Sequence, residues 1–128
     1  MDPVKFENVT HYYKNIKALD NLTFSVKPNH VFGILGPNGA GKSTCLRAAC
    51  GILRPEKGAV KTLGLDAVKG GYALKSRIGY LSETESILEW MTVKEHFRFH
   101  AAFYNNWYRD LACSLITEFH IDPDKKIK

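Results

Sequence analysis

Residues 36–44 read Gly-Pro-Asn-Gly-Ala-Gly-Lys-Ser-Thr and match the phosphate-binding pattern G-x-x-x-x-G-K-[ST] at Gly36, Gly41, Lys42 and Ser43. The flanking residues supply the context that such a loop needs. The apolar run Val31-Phe32-Gly33-Ile34-Leu35 leads into it and predicts a buried strand; a helical stretch from Lys42 to about Cys50 leads out. Glycines at 36, 39 and 41 allow backbone conformations that a side chain would block. Successive N–H groups can then curl around an anion as a nest, with the positive end of the helix dipole behind them. Lys42 adds a full charge directed at the β- and γ-phosphates, and Ser43 offers a hydroxyl to Mg2+. The candidate phosphate-binding set is Gly36, Asn38, Gly39, Ala40, Gly41, Lys42 and Ser43. A glycine-rich turn beside a chance lysine is the bland alternative, and the strand–loop–helix order argues against it.

A phosphate cradle binds a nucleotide but does not by itself cleave it. Hydrolysis needs a carboxylate to hold Mg2+ and a group to position water. Such a carboxylate would end a second aliphatic strand. From Gly51 to Lys128 no clear run of this kind occurs: 59–64 is too mixed, and Ile78-Gly79-Tyr80-Leu81, followed by Ser82-Glu83, is short. The residues present supply the binding half of an NTPase and lack most of the hydrolytic half.

A length of 128 residues allows one domain with a modest core. The net charge of +5 suits an anion binder. The lysines are scattered, and the one cluster, Lys125-Lys126 with Lys128, lies beside Asp122 and Asp124; this favours a solvated tail over a nucleic-acid surface, so no nucleic-acid partner is expected. Three cysteines, Cys45, Cys50 and Cys113, without a C-x-x-C pair read as small core residues in a reducing cytoplasm. No apolar run approaches the roughly 18 residues of a membrane span, and no signal peptide opens the chain.

Residues 4–13 read as an edge strand. Leu22, Phe24 and Val26 alternate with Thr23, Ser25 and Lys27, the period-2 pattern of a strand with one wet face. Gly51 is placed to cap the loop helix. Arg54-Pro55-Glu56-Lys57-Gly58 turns into a short strand at 59–63, Gly64 and Gly70-Gly71 mark loops, and Arg77–Leu81 reads as a further strand. Thr92-Val93-Lys94-Glu95 is a capping box that opens a helix over 93–104. Asn106 opens a second helix, on which Trp107, Leu111, Leu115 and Phe119 recur every four residues until Pro123.

In this order the chain resembles the N-terminal half of the ATP-binding cassette domain of ABC transporters. The resemblance rests on Tyr13 with Ala18-Leu19 and Phe24, on Gly36–Thr44, on Gly51-Ile52-Leu53-Arg54-Pro55 with Gly58, on Ile78-Gly79-Tyr80-Leu81, and on Met91-Thr92-Val93-Lys94-Glu95. It covers essentially the whole chain. It implies an α/β fold: a P-loop NTPase core with an antiparallel β subdomain and the start of a helical subdomain, stopping before the signature and Walker-B motifs. One partial nucleotide-binding domain over 1–128 is expected, with β-subdomain strands in 1–30, the loop core in 31–82 and the helical subdomain in 83–128. The cofactors implied are ATP and Mg2+. Tyr13 takes the place of the aromatic that stacks on adenine; Tyr12 faces the other way on strand alternation. Thr44 takes the place of the α-phosphate ligand. Where the family commonly carries Gln, this chain has Glu83, which the resemblance directs at the Mg2+ or its waters alongside Ser43. The implied partners are a transporter permease in the membrane and a second ATP-binding domain, and the implied location is cytoplasmic, peripheral to the cell membrane through that permease.

The function implied is the ATP-binding part of a transport ATPase that, as this chain alone, binds ATP without hydrolysing it. A non-catalytic nucleotide-binding fragment with no transport role is the alternative. A small P-loop kinase is disfavoured, because no lid-like arginine cluster is present. His96 and His100 have metal-pair spacing but no third ligand in view, so a packed or solvated pair is expected. The aromatics at 97–108 read as core. Ile87, Leu88, Trp90 and Met91 fit either packing under the helices or a docking patch.

Overall fold

The computed structural model describes residues 1–82 and 88–127. Two compact units are present, Met1–Tyr80 and Leu81–Lys128. In the first, β1 (Val4–Tyr13) is the second strand of a four-stranded sheet of order β2-β1-β3-β4. It is therefore an interior strand, not the edge its position in the chain suggested. β2 (Ile16–Val26) returns beside it through the two residues 14–15, with Val4 opposite Val26, Phe6 opposite Phe24 and Tyr13 opposite Ile16. β3 (Lys57–Thr62) pairs antiparallel on the other side, Phe6 opposite Val60, and β4 (Leu65–Asp66) completes the sheet. Helix α1 (Lys42–Ala49) follows the loop. A one-turn helix, α2 (Gly71–Lys75), stands where the glycine pair predicted only a loop.

The core lies between the inner face of the sheet and these helices. Phe6, Val9, Leu19 and Val60 of the sheet meet Cys45 and Ala48 of α1, Leu74 of α2, and Ala67. Full burial of a Phe, Leu or Val side chain contributes about 1.5–3 kcal/mol, so these few positions dominate the unit's stability. Phe6 stacks on Phe24 at 4.7 Å between centroids, and Phe24 on Phe32 at 5.4 Å. Burial drives the Cys45 thiol up to about 11, which leaves it an unreactive thiol; Cys50 is half-buried and shifted the same way. Cys113 is exposed, contrary to the expectation of a core residue.

The stretch 31–35 does not pair into the sheet. Its inward residues behave as a strand's would: Phe32 stacks on Phe24, and Ile34 packs on the core. The outward residues Val31 and Leu35 are fully exposed, at 105% and 96%. A parallel strand is stabilised by neighbours and by cover on both faces, and none of the described strands pairs with this one. The stretch 77–81 is likewise outside the sheet, with Ile78 against the core and Leu81 exposed.

An apolar segment left bare in this way is a template for association. The 128-residue chain is accordingly expected to self-associate or to unfold over a broad, low denaturant range. Sedimentation combined with urea unfolding checks this. A monomer with one sharp transition and a midpoint ordinary for its size would show that residues 31–35 are covered in solution.

In the second unit, α3 (Val93–Ala101) starts at Thr92 with the capping box in place. The Glu95 N–H donates to Thr92 Oγ1 (3.2 Å), and the Thr92 N–H donates to Glu95 Oε2 (2.8 Å). The bonds from the Thr92 backbone and then its hydroxyl hold the Glu95 carboxyl below its usual range. α4 (Arg109–Glu118) begins a few residues later than Asn106 suggested. Phe97 meets Trp107 edge-on at 6.0 Å, but Phe99, Phe103 and Tyr108 are exposed at 41%, 51% and 71%, contrary to the expectation of a core. Residues 123–126 are exposed, as a solvated tail is, and their backbone is tied to the start of α3. Val93 N–H donates to Lys125 O, Lys94 N–H to Pro123 O, and Ile127 N–H to Met91 O, which satisfies two of the donors that a helix start leaves unpaired. Met91 is buried while Trp90 is two-thirds exposed, so the apolar stretch divides between packing and surface; Ile87 lies outside the described residues. No residue of α3 or α4 is fully buried. His96 and His100 lie 4.4 Å apart between ring centroids, and no cluster of three metal-ligating side chains occurs among the described residues.

Candidate functional site

The loop 36–41 delivers the chain into α1 against the edge of the hairpin. Gly41 has φ +85°, and a Cβ there would strike the carbonyl oxygen of Ala18 and come within 3.2 Å of Leu19 Cδ2. Only glycine lets the helix start this close to β2. The first intrahelical bond runs from Cys45 N–H to Gly41 O at 2.8 Å. The N–H groups of Lys42, Ser43 and Thr44 thus lie in the first turn, before that ladder begins, aimed out of the helix N-terminus. Thr44 is buried, while Ser43 is exposed.

Lys42 folds back over its own loop. Its Nζ donates to Gly36 O at 2.8 Å and Pro37 O at 2.7 Å. An ammonium has three donors, so one remains for an anion in the cradle. Ala40 N–H donates to Pro37 O at 3.2 Å and is engaged within the loop; Gly36, Asn38 and Gly39 are exposed along it. The structure therefore brings Gly36, Asn38, Gly39, Ala40, Gly41, Lys42, Ser43 and Thr44 into one loop and helix start. Glu83 lies outside the described residues.

Tyr13 ends β1, 43% exposed, and its surroundings include three residues that the sequence pattern left unassigned. The side chains of Tyr80 and Tyr13 lie close enough to Arg47, on the helix that leaves the loop, to raise its already high pKa. The His11 ring meets Tyr13 edge-on at 4.8 Å and 88°. His11 is buried at 8%, with Nδ1 2.7 Å from Glu56 Oε2. That same oxygen accepts from Tyr12 N–H at 3.1 Å, and Glu56 N–H donates to Thr10 O at 3.1 Å. Burial pushes the Glu56 carboxyl up, but the N–H groups of Tyr12 and Glu56 and the adjacent His11 outweigh this and leave it below its usual range. Tyr12 instead carries Lys17 over its ring at 5.9 Å. No spacing rule links residues 11, 47 and 56; only the pairing of β1 with the 54–58 turn and the packing of α1 brings them together.

A glycine-rich loop, a lysine clamped across it and a helix start on the flank of an antiparallel sheet define a P-loop nucleotide-binding domain. The sequence profile of the ABC transporter family matches residues 19–127, and the chain belongs to the ATP-binding proteins of that family. It is 34% identical over 101 residues to the probable multidrug ABC transporter ATP-binding protein YbhF of Escherichia coli, covering 79% of this chain and 18% of that protein. With the ABC-type transporter ATP-binding protein EcsA of Bacillus subtilis the identity is 32%, over 81% of this chain and 42% of the relative. Among solved structures, an ATP-binding subunit of an ABC transporter superposes with a TM-score of 0.83 at 25% identity, over 96% of this chain and 53% of that one. The chain thus spans less than half the length of these two relatives and about half of the superposed subunit. No helix among the described residues is long and apolar enough to cross a membrane.

Proposed function

We propose that the chain forms the ATP-binding half-site of a transport ATPase that works with a membrane permease and a second ATP-binding domain. The observation that carries this is the Lys42 clamp at the N-terminus of α1, within a chain of this family. Loop N–H groups and Lys42 hold the β- and γ-phosphates, the first-turn N–H groups and Thr44 hold the α-phosphate, and Tyr13 stacks on adenine. Ser43 presents an exposed hydroxyl, the hard oxygen that Mg2+ takes, and Glu83 supplies a carboxylate to the same ion or its waters. When bound, Mg2+ neutralises charge between the β- and γ-phosphates. The names of relatives that are Nod factor export ATP-binding proteins support export as the direction.

The described residues of this chain offer no acid at the end of a strand beside the loop, and no group to position water. Binding without turnover is therefore expected of the 128-residue chain. Calorimetric titration with Mg-ATP, alongside a phosphate-release assay, tests both parts. Saturable binding with release at background supports the reading. Steady release that Lys42→Ala abolishes would mean that an acid of this chain, Glu83 or a neighbour, completes the catalytic set.

A further inference from the structure

A buried histidine with a carboxylate on one ring nitrogen needs a reason to be there. His11 is 8% exposed, and among the described residues neither ring nitrogen has a hydrogen-bond partner in line with it. An apolar residue of similar size would fill the same space without the desolvation of two ring nitrogens. What the imidazole does have is a close neighbour on each side, a carboxylate and an aromatic ring. Glu56 Oε2 stands 2.7 Å from Nδ1, and Glu56 is itself pinned to β1 by Glu56 N–H to Thr10 O and Tyr12 N–H to Oε2. The ring then lies perpendicular to Tyr13 at 4.8 Å, the edge-to-face arrangement that aromatic pairs prefer. Arg47, on the helix whose N-terminus forms the cradle, also interacts with the Tyr13 side chain.

We infer that His11 is a positioning residue for the base-stacking tyrosine: wedged between Glu56 and Tyr13, it fixes the ring of Tyr13 so that the aromatic face is ordered before the nucleotide arrives. This rests on the reading of Tyr13 as the adenine contact. Ordering a side chain in advance removes an entropy loss from binding. Its effect falls on the base and not on the phosphates, because His11 reaches the nucleotide only through Tyr13.

The test compares two ligands, Mg-ATP and Mg-tripolyphosphate, by calorimetry on the full 128-residue chain. His11→Leu keeps the buried volume and removes both the Glu56 contact and the aromatic edge. Affinity for Mg-ATP is expected to fall about three- to tenfold, the range set by an aromatic pair, with tripolyphosphate unchanged. Tyr13→Ala should also weaken Mg-ATP alone, and adding His11→Leu to it should cause no further loss, since the two act as one unit. Additive losses, or a His11→Leu chain that binds Mg-ATP normally while Tyr13→Ala does not, overturn the inference. If Tyr13→Ala itself binds Mg-ATP normally, the reading of Tyr13 fails instead. Should His11→Leu not fold, Glu56→Ala at the half-exposed position serves, since it removes the contact to the ring, with a loss in the same direction expected and no loss overturning the proposal.

Discussion

Lys42→Ala lowers Mg-ATP affinity by about tenfold to a hundredfold, the loss expected when one charge-assisted contact worth roughly 1.5–3 kcal/mol disappears. The geometry gives this substitution two effects. One is the direct contact, since the ammonium has a single N–H left for phosphate after its bonds to Gly36 O and Pro37 O. The other is the loop itself. Those two bonds close the loop on the side chain of its own helix, and without them the carbonyls of Gly36 and Pro37 lose a cationic partner beside an anion site. Free, they would point partial negative charge at the phosphates. Calorimetric titration with Mg-ATP and with Mg-tripolyphosphate should show losses of similar size for both ligands, because the lysine touches only the phosphate chain. Equal affinity in the variant and the parent would place the phosphates elsewhere on the molecule.

Gly58→Ala should destabilise the first unit by about 3 kcal/mol or more. Gly58 has φ +82°, and a Cβ there would strike the carbonyl oxygens of both Glu7 and Asn8 on the neighbouring strand. The β1–β3 register shifts between Glu7 and Thr10, and Asn8 takes a left-handed conformation at φ +51°. The two strands therefore pass at an irregularity that only a residue without a side chain can face. Any relief moves β1, the strand on which Phe6, Val9, His11 and Tyr13 all lie. Native proteins as a class are stable by only about 5–15 kcal/mol, so a loss of this size leaves a large unfolded population in a marginal chain. The urea midpoint measures it, and an unchanged midpoint would mean that the strands are farther apart here than described.

Much of this was legible from local chemistry. Thr92 and Glu95 announce a helix start because both halves of their reciprocal bond lie within four residues. The alternation at Leu22, Phe24 and Val26 gives β2 its face, and the loop glycines give the cradle. What could not be read depends on residues distant in the chain. Val4–Tyr13 looked like an edge because it comes first, but β3 crosses to its open side. Val31–Leu35 has the composition of a buried strand, and Phe32 and Ile34 do turn inward, yet composition cannot supply the neighbour that pairing requires. Gly70-Gly71 reads as a loop, and one turn of helix forms there because Leu74 has a place in the core. Arg47, His11 and Glu56 carry no motif, and their meeting near Tyr13 is a product of the sheet and of the packing of α1 on it.

The pairing of β1 with β3 orders events in time as well as in space. The β1–β2 hairpin joins neighbours in sequence and closes at little entropic cost. Setting Phe6 opposite Val60 closes a far longer loop, and all of residues 36–44 lie within it. The cradle is thus enclosed by the slower of the two closures. In a refolding experiment, strand signal should rise first and the capacity to hold a polyphosphate should lag behind it, so that the ligand itself becomes a clock for the last stage of assembly.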